Sequence, residues 1–207
     1  MARKTGESKY WRQHERSDPY VGKAALQNVR SRAYFKLEQI QAKERILKPG
    51  GLCADLGASP GGWSQYAAGI VGPRGAIWAV DLIPMEPLPG VTFLHGDFTS
   101  EPVRQALCDA LGNARLDLVM SDMAPNISGN RSVDQPRIMA LAEEALYFSE
   151  TTLRQGGDFL VKLFQGEGFE DFAQLTRARF QQVRLLKPHA SRPDSREMYL
   201  LAGNYGM

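Results

Sequence analysis

Cysteine and histidine are scarce in this chain of 207 residues, which has only Cys53 and Cys108 and only His14, His95 and His189. The thiols lie far apart without metal-ligand spacing and the histidines are isolated, so neither a disulfide scaffold nor a zinc centre is supported, and no metal is expected. Both cysteines read as reduced packing residues, which fits the cytoplasm. No apolar run nears the roughly 18 residues of a membrane span and no signal-like pattern opens the chain, so a membrane is not expected as a partner. Gly-x-Gly-x-x-Gly and Gly-Lys-Ser/Thr are both absent, which sets aside the dinucleotide fingerprint and the phosphate-binding P-loop. Internal repeats and linker-like stretches are missing too. With 43% hydrophobic and 23% charged residues, the default is one soluble α/β domain.

Charge is nearly balanced overall, at +2, but unevenly spread. Residues 1–48 hold 12 Lys/Arg against 5 Asp/Glu, whereas residues 49–207 hold 13 against 18. A second basic cluster, Arg177, Arg179, Arg184, Lys187, Arg192 and Arg196, faces only Asp194 and Glu197 within residues 177–197. Positive segments flanking an acidic fold point to a phosphate backbone as partner, with solvated helix faces as the alternative. Residues 1–30 are expected to form a basic, partly mobile arm, and residues 31–207 a single domain.

The chain is organised around residues 52–63, Leu-Cys-Ala-Asp-Leu-Gly-Ala-Ser-Pro-Gly-Gly-Trp. An apolar run reads as a buried strand, breaks at Gly57 into a turn of small residues, and gives way to a helix over residues 63–70. Glycines at 57, 61 and 62 allow positive φ and leave no Cβ, so a ligand can approach the backbone where a helix points unpaired N–H groups. The spacing suits a ligand without pyrophosphate, and S-adenosylmethionine fits it; an ordinary strand-to-helix turn is the alternative.

Further strands are expected over residues 75–80, 91–94, 116–120 and 158–164. Three of them leave a carboxylate at the sheet's carboxyl edge, where open α/β sheets place ligands. Asp81 is suited to a ribose diol, Asp97 to an adenine amine, and Asp122 follows the fourth strand. Helices are expected over residues 31–44, with Ser31 as N-cap, then 102–111, then 133–153, closed by Gly156-Gly157, and finally 170–179. Residues 182–186 and 197–202 read as a closing strand pair, which Glu197 begins. Lys36 sits among apolar neighbours, and Lys162 lies inside Phe-Leu-Val-Lys-Leu-Phe, where a lysine is costly unless it has partners.

Arg-Ser-Arg-Ala-Tyr-Phe-Lys-Leu at 30–37, Asp-Leu-Gly-Ala-Ser-Pro-Gly-Gly-Trp-Ser-Gln-Tyr at 55–66, Ser-Asp-Met-Ala-Pro-Asn at 121–126, Val-Lys-Leu-Phe-Gln-Gly at 161–166 and Ser-Arg-Glu-Met-Tyr at 195–199 occur in that order. Together they resemble the FtsJ-type ribosomal RNA 2′-O-methyltransferases over nearly the whole chain. The resemblance implies a Rossmann-like methyltransferase fold: a seven-stranded, mostly parallel sheet with helices on both faces and a last antiparallel strand. It implies S-adenosylmethionine bound at Gly61, Trp63, Asp81, Asp97 and Asp122, and a catalytic tetrad of Lys36, Asp122, Lys162 and Glu197. It implies a monomer acting on 23S ribosomal RNA, at a uridine ribose of the A-loop, on the assembled bacterial 50S subunit. Ser59 and Cys53 depart slightly from the family's commoner residues, and the first 20 and last five residues match poorly.

The chemistry agrees. Methyl transfer to a hydroxyl is an in-line displacement, to which positioning alone contributes roughly 7 to 11 kcal/mol. A lysine ordinarily carries its proton at neutral pH, so Lys162 is expected to orient the hydroxyl and take or share its proton only as the alkoxide develops. Methylation of a cytosine carbon would need a cysteine nucleophile in the loops after the fourth or fifth strand, and neither Cys53 nor Cys108 lies there. The remaining alternatives are a 2′-O-methyltransferase of another RNA, such as tRNA or a cap-like end, and a ribosome-assembly factor that only binds RNA.

Overall fold

The computed structural model describes residues 18–192 and 194–207. Most of the arm expected over residues 1–30 lies outside them. Its last part does not: α1 (Pro19–Leu26) is a helix started by Asp18, whose side chain accepts from Tyr20 N, with proline in the first turn. Helix α2 (Ala33–Glu44) follows, and here the sequence reading needs correction. Its N-cap is Arg32, with no side-chain cap, and not Ser31. The Ser31 hydroxyl is instead turned against the start of the next helix, where a Cβ on Gly62 would sit 2.2 Å from it.

The core motif then unfolds as β1 (Leu52–Leu56), α3 (Gly62–Val71) and β2 (Ala76–Asp81), followed by β3 (Val91–His95), α4 (Glu101–Leu111) and β4 (Leu116–Ser121). Helix α5 (Arg131–Thr152) runs directly into β5 (Leu153–Phe164). Gly156 and Gly157 therefore lie inside a strand, at its irregular entry against β4, and do not end the helix. Helix α6 (Phe169–Arg177) precedes β6 (Phe180–Leu186) and β7 (Glu197–Tyr205).

The seven strands lie in the order β3-β2-β1-β4-β5-β7-β6, parallel except that β7 runs antiparallel to both its neighbours. This is the Rossmann-like arrangement expected, with β1 and β4 at the point where strand order reverses. Strands covered on both faces read as mainly apolar, as β1 and β4 do apart from Asp55 and Asp117. Edge strand β6 instead exposes Gln181, Gln182 and Arg184. One face packs Val119, Val161, Leu163 and Leu200 against α5 and α6. The other packs Met120, Leu160, Tyr199 and Leu201 with Leu37, Ile40 and Trp63 from α2 and α3. Period-two alternation puts Lys162 on that second face, beneath α2.

Candidate active site

Strand register assembles the site. Ser121 pairs with Val161, so Asp122, the first residue after β4, comes level with Lys162; Lys162 in turn pairs with Tyr199 on β7. Glu197 lies two residues before Tyr199 and so shares its face. Helix α2 brings Lys36 down onto the same group, on a turn whose neighbours Phe35 and Leu37 are fully buried. β5 is an interior strand, so Lys162 has no edge to escape through.

The four side chains expected from the sequence converge, and a fifth joins them. Lys36 Nζ lies 2.7 Å from Glu197 Oε1 and 2.9 Å from Oε2. Lys162 Nζ lies 3.1 Å from Asp122 Oδ1 and also donates to the Asp122 carbonyl. Tyr199 links the two pairs: its hydroxyl donates to Asp122 Oδ1 at 2.8 Å and accepts from Lys36 at 3.1 Å. Ser191 Oγ closes the other end on Glu197 Oε1 at 2.7 Å. Burial by itself raises Asp122, but Lys162, Lys36 and the Tyr199 hydroxyl outweigh it and hold the carboxyl below its ordinary value. Tyr199 titrates well above its usual range, through burial first and then the charges of Asp122 and Glu197.

Tyr199 was given no role from the sequence. The available signal was its place two residues after Glu197 in a strand, on the same face. Asp55 was missed as well: it is fully buried in β1, accepts from Ser64 Oγ at 2.6 Å through Oδ2, and has no partner for Oδ1. Burial pushes its carboxyl up to about 7, and no cation counters this.

Beside the tetrad opens a cavity of about 490 Å³, lined by Gly57, Ser59, Asp81, Asp97 and Asp122 with the apolar Val80, Leu82, Ile83, Phe98 and Leu141. Asp122 thus belongs to both. Asp81 is set by Ser59 N and Ile83 N, each on one carboxylate oxygen. Asp97 Oδ1 takes Thr99 N and Oγ1, which leaves Oδ2 uncommitted. Apolar walls with a few fixed acceptors fit a purine nucleoside, whose ring is apolar on its faces and whose amine and diol donate.

Gly61 and Trp63 stand apart from that lining. Gly61, at φ 105°, donates its N–H to Ala58 O, and a Cβ there would meet Met85 Sδ at 2.8 Å and Arg30 Nη1 at 2.9 Å. Trp63 is buried with its indole N–H on Ala33 O and its ring 5.6 Å from that of Tyr199. What presses on glycines 57, 61 and 62 is the protein itself, through Met123, Arg30 and Ser31, and Gly62 has helical φ rather than positive φ.

The basic cluster also needs correction. Arg30 spends its guanidinium on the carbonyls of Pro60, Glu86 and Pro87. Arg179 and Arg184 pair with acids far away in sequence, Glu150 and Glu44, and Arg177 pairs with Glu170 of its own helix, while Lys187 and Arg196 donate to the carbonyls of Ser195 and Gln165. Counting charges in a window overstated the positive surface, because the compensating acids lie outside that window. Cys53 and Cys108 are unpaired, and burial raises the Cys53 thiol to about 12. Among the described residues no helix is long and apolar enough to cross a membrane, and no cluster of His, Cys, Asp and Glu could hold a metal ion.

Known proteins carry the same pattern. A family model for FtsJ-like methyltransferases matches residues 29–205. The ribosomal RNA large subunit methyltransferase E of Alkalilimnicola ehrlichii is 52% identical over 200 residues, 97% of this chain and 96% of that protein. Its counterpart in Alcanivorax borkumensis is 52% identical over 194 residues, 94% of this chain and 93% of that one. Among solved structures, a Plasmodium falciparum protein assigned as a ribosomal RNA methyltransferase superposes with a TM-score of 0.76 at 28% identity, covering 85% of this chain and 98% of its own.

Proposed function

Since the chain belongs to the FtsJ-like methyltransferase family, we propose that it is an S-adenosylmethionine-dependent enzyme that methylates a ribose 2′-hydroxyl of large-subunit ribosomal RNA. The target in this reading is a uridine of the 23S A-loop, presented by the assembled 50S subunit to a monomeric cytoplasmic enzyme. The observation that carries it is the double membership of Asp122, which lines the cavity and holds Lys162. Donor and acceptor sites then meet at one carboxylate.

Asp81, Asp97 and Asp122 would hold the cofactor, with the backbone at Gly61 and Trp63 closing the helix-terminal side. When bound, the cofactor supplies a methyl group on a positively charged sulfur. The residues' task is to aim the hydroxyl and manage its proton. A lysine has three N–H donors. Those of Lys36 face both Glu197 oxygens and Tyr199, whereas Lys162 spends two on Asp122 and keeps one. Lys162 therefore is the cation with a direction left for the hydroxyl: its third N–H donates to the hydroxyl oxygen and stabilises the negative charge that develops there as the proton leaves to solvent. Lys36 and Glu197 fix Tyr199, and Tyr199 fixes Asp122.

The experiment is transfer of tritiated methyl groups to undermethylated large subunits and to naked ribosomal RNA, with the labelled nucleotide identified after digestion. A 2′-O-methyluridine formed on subunits is expected, and Lys162→Ala should lower turnover by about 10² to 10⁴. Label on a base, on naked RNA alone, or undiminished in the Lys162 variant would each overturn the corresponding part.

A further inference from the structure

Two buried side chains, neighbours at the start of α5, hold the loops that follow β4 and β5, and the mechanism above uses neither. Asp134 takes three donors from the loop after β4: Ser128 N at 2.9 Å and Ser128 Oγ at 2.8 Å on Oδ1, and Gly129 N at 3.0 Å on Oδ2. The Ser128 N–H above all holds its carboxyl below the ordinary value, so it meets those donors as a charge. Between Asp122 and Ser128 the loop supplies Met123, Ala124 and Asn126 to the cavity wall. Gln135 holds the other loop. Its amide donates to Phe164 O and Glu167 O, both at 3.0 Å, and a Cβ on Gly166 would lie 2.7 Å from Gln135 Cδ. Phe164 is two residues beyond Lys162 and pairs with Glu197, while Gln165 exchanges hydrogen bonds with Arg196, next to Glu197. Gln135 Oε1 is buried without a partner, a cost that a leucine would avoid, so the two donated bonds are what the amide contributes.

Resting on the reading above, we infer that Asp134 and Gln135 are positioning residues, each for one half of the reaction: Asp134 fixes the loop after β4 as a wall of the cofactor cavity, and Gln135 fixes the exit of β5 that sets Lys162 beside Glu197. Residues 122–130 contain no helix or strand, so the N–H groups of Ser128 and Gly129 have no ladder to join and take Asp134 instead. Helix α5 packs on the sheet over most of its 22 residues and gives both loops one rigid reference. Neighbouring helical residues point about 100° apart, which lets one turn of α5 serve two loops. Asp122 is fixed independently of the Asp134 hold, through Leu56 O, Lys162 and Tyr199. Loss of one hold should therefore disturb one half and spare the other.

The test measures three things for each variant: affinity for S-adenosylhomocysteine by calorimetry, turnover on undermethylated large subunits at saturating S-adenosylmethionine, and melting. Asp134→Asn keeps an acceptor for Ser128 but turns an amide donor toward Gly129 N, and should weaken ligand affinity about tenfold, with turnover at saturation unchanged. Ser128→Ala cuts the same hold from the loop side without touching α5; it should weaken affinity too, and add little to Asp134→Asn in the double variant. Gln135→Leu strands two carbonyls and should lower turnover about tenfold, with ligand affinity unchanged. Gly166→Ala presses on the same amide and should give the same split, so each half keeps a second variant if the first does not fold. Wild-type affinity in the first pair or wild-type turnover in the second overturns the corresponding half. Loss of both properties in either pair overturns the division between them, and lower melting with both properties intact leaves only a structural role and overturns the whole. A wild type that binds no S-adenosylhomocysteine or places no methyl on ribose fails the parent reading; one that does both, with variants that behave like it, fails the positioning alone.

Discussion

Asp55 and Asp122 stand at neighbouring positions of one sheet face and meet opposite fates. Asp55 is level with Met120 in the β1–β4 register, and Asp122 follows two residues later. Asp55 has no exposed surface, and the Asp122 side chain keeps only 16%. Yet the Asp55 carboxyl is raised to about 7 and Asp122 is lowered. Burial pushes both upward; what separates them is that Asp122 has Lys162, Lys36 and the Tyr199 hydroxyl, whereas Asp55 has one serine. The fold thus keeps one carboxylate charged where charge is useful and lets its neighbour lie near neutrality.

Removing the charged member is the largest test of that contrast. Asp122→Ala strands Lys162 and Tyr199 together, and breaking such a pair costs roughly 3 to 5 kcal/mol. Turnover should fall by about 10² to 10⁴, and calorimetry should show cofactor affinity weakened about tenfold. Full cofactor affinity in a folded variant would mean that Asp122 serves the tetrad only.

A milder change removes the link and leaves both ion pairs. Tyr199→Phe deletes one hydroxyl from a fully buried ring, takes a donor from Asp122 and an acceptor from Lys36, and should cost about 1 to 3 kcal/mol in denaturant melts. Turnover should drop about tenfold, the equivalent of roughly 1.4 kcal/mol in the barrier, while cofactor affinity holds. Equal loss of cofactor affinity would show that the hydroxyl shapes the cavity and not the lysine pair.

Much of this was legible in the sequence, and the reasons differ by residue. Lys162 stood out because a charge in an apolar strand demands partners, and Asp81, Asp97 and Asp122 because strand ends in α/β sheets face the ligand. The same rule, applied to Leu-Cys-Ala-Asp-Leu, would have singled out Asp55; it was absorbed into the glycine motif instead. Tyr199 looked like ordinary β-strand filling, since only register shows a tyrosine hydroxyl meeting two charges. Helix α1 carried its signal in Asp18-Pro19, a cap followed by proline, but the basic composition around it masked the cue. The ion partners of Arg179 and Arg184 could not be read at all, because they come from α5 and α2 by tertiary packing, whereas that of Arg177 lies two turns back in its own helix, α6.

The smallest test addresses the neutral member. An unperturbed aspartate titrates near 3.9, and Asp55 is pushed up to about 7. Between those values the unfolded chain is ionised and the folded chain is not. The stability associated with Asp55 is therefore whole below about pH 4 and is lost as pH rises to about 7. Asp122 tilts the other way: its contribution is present above the unfolded value and is lost as pH falls through the lowered one. Asparagine at 55 keeps an acceptor for Ser64 but cannot ionise. Asp55→Asn should accordingly flatten the decline in stability between pH 5 and pH 8 by about 2 to 3 kcal/mol, whatever its absolute stability. Parallel curves for the two proteins would mean that the buried carboxyl has found a partner that its unpaired Oδ1 does not show.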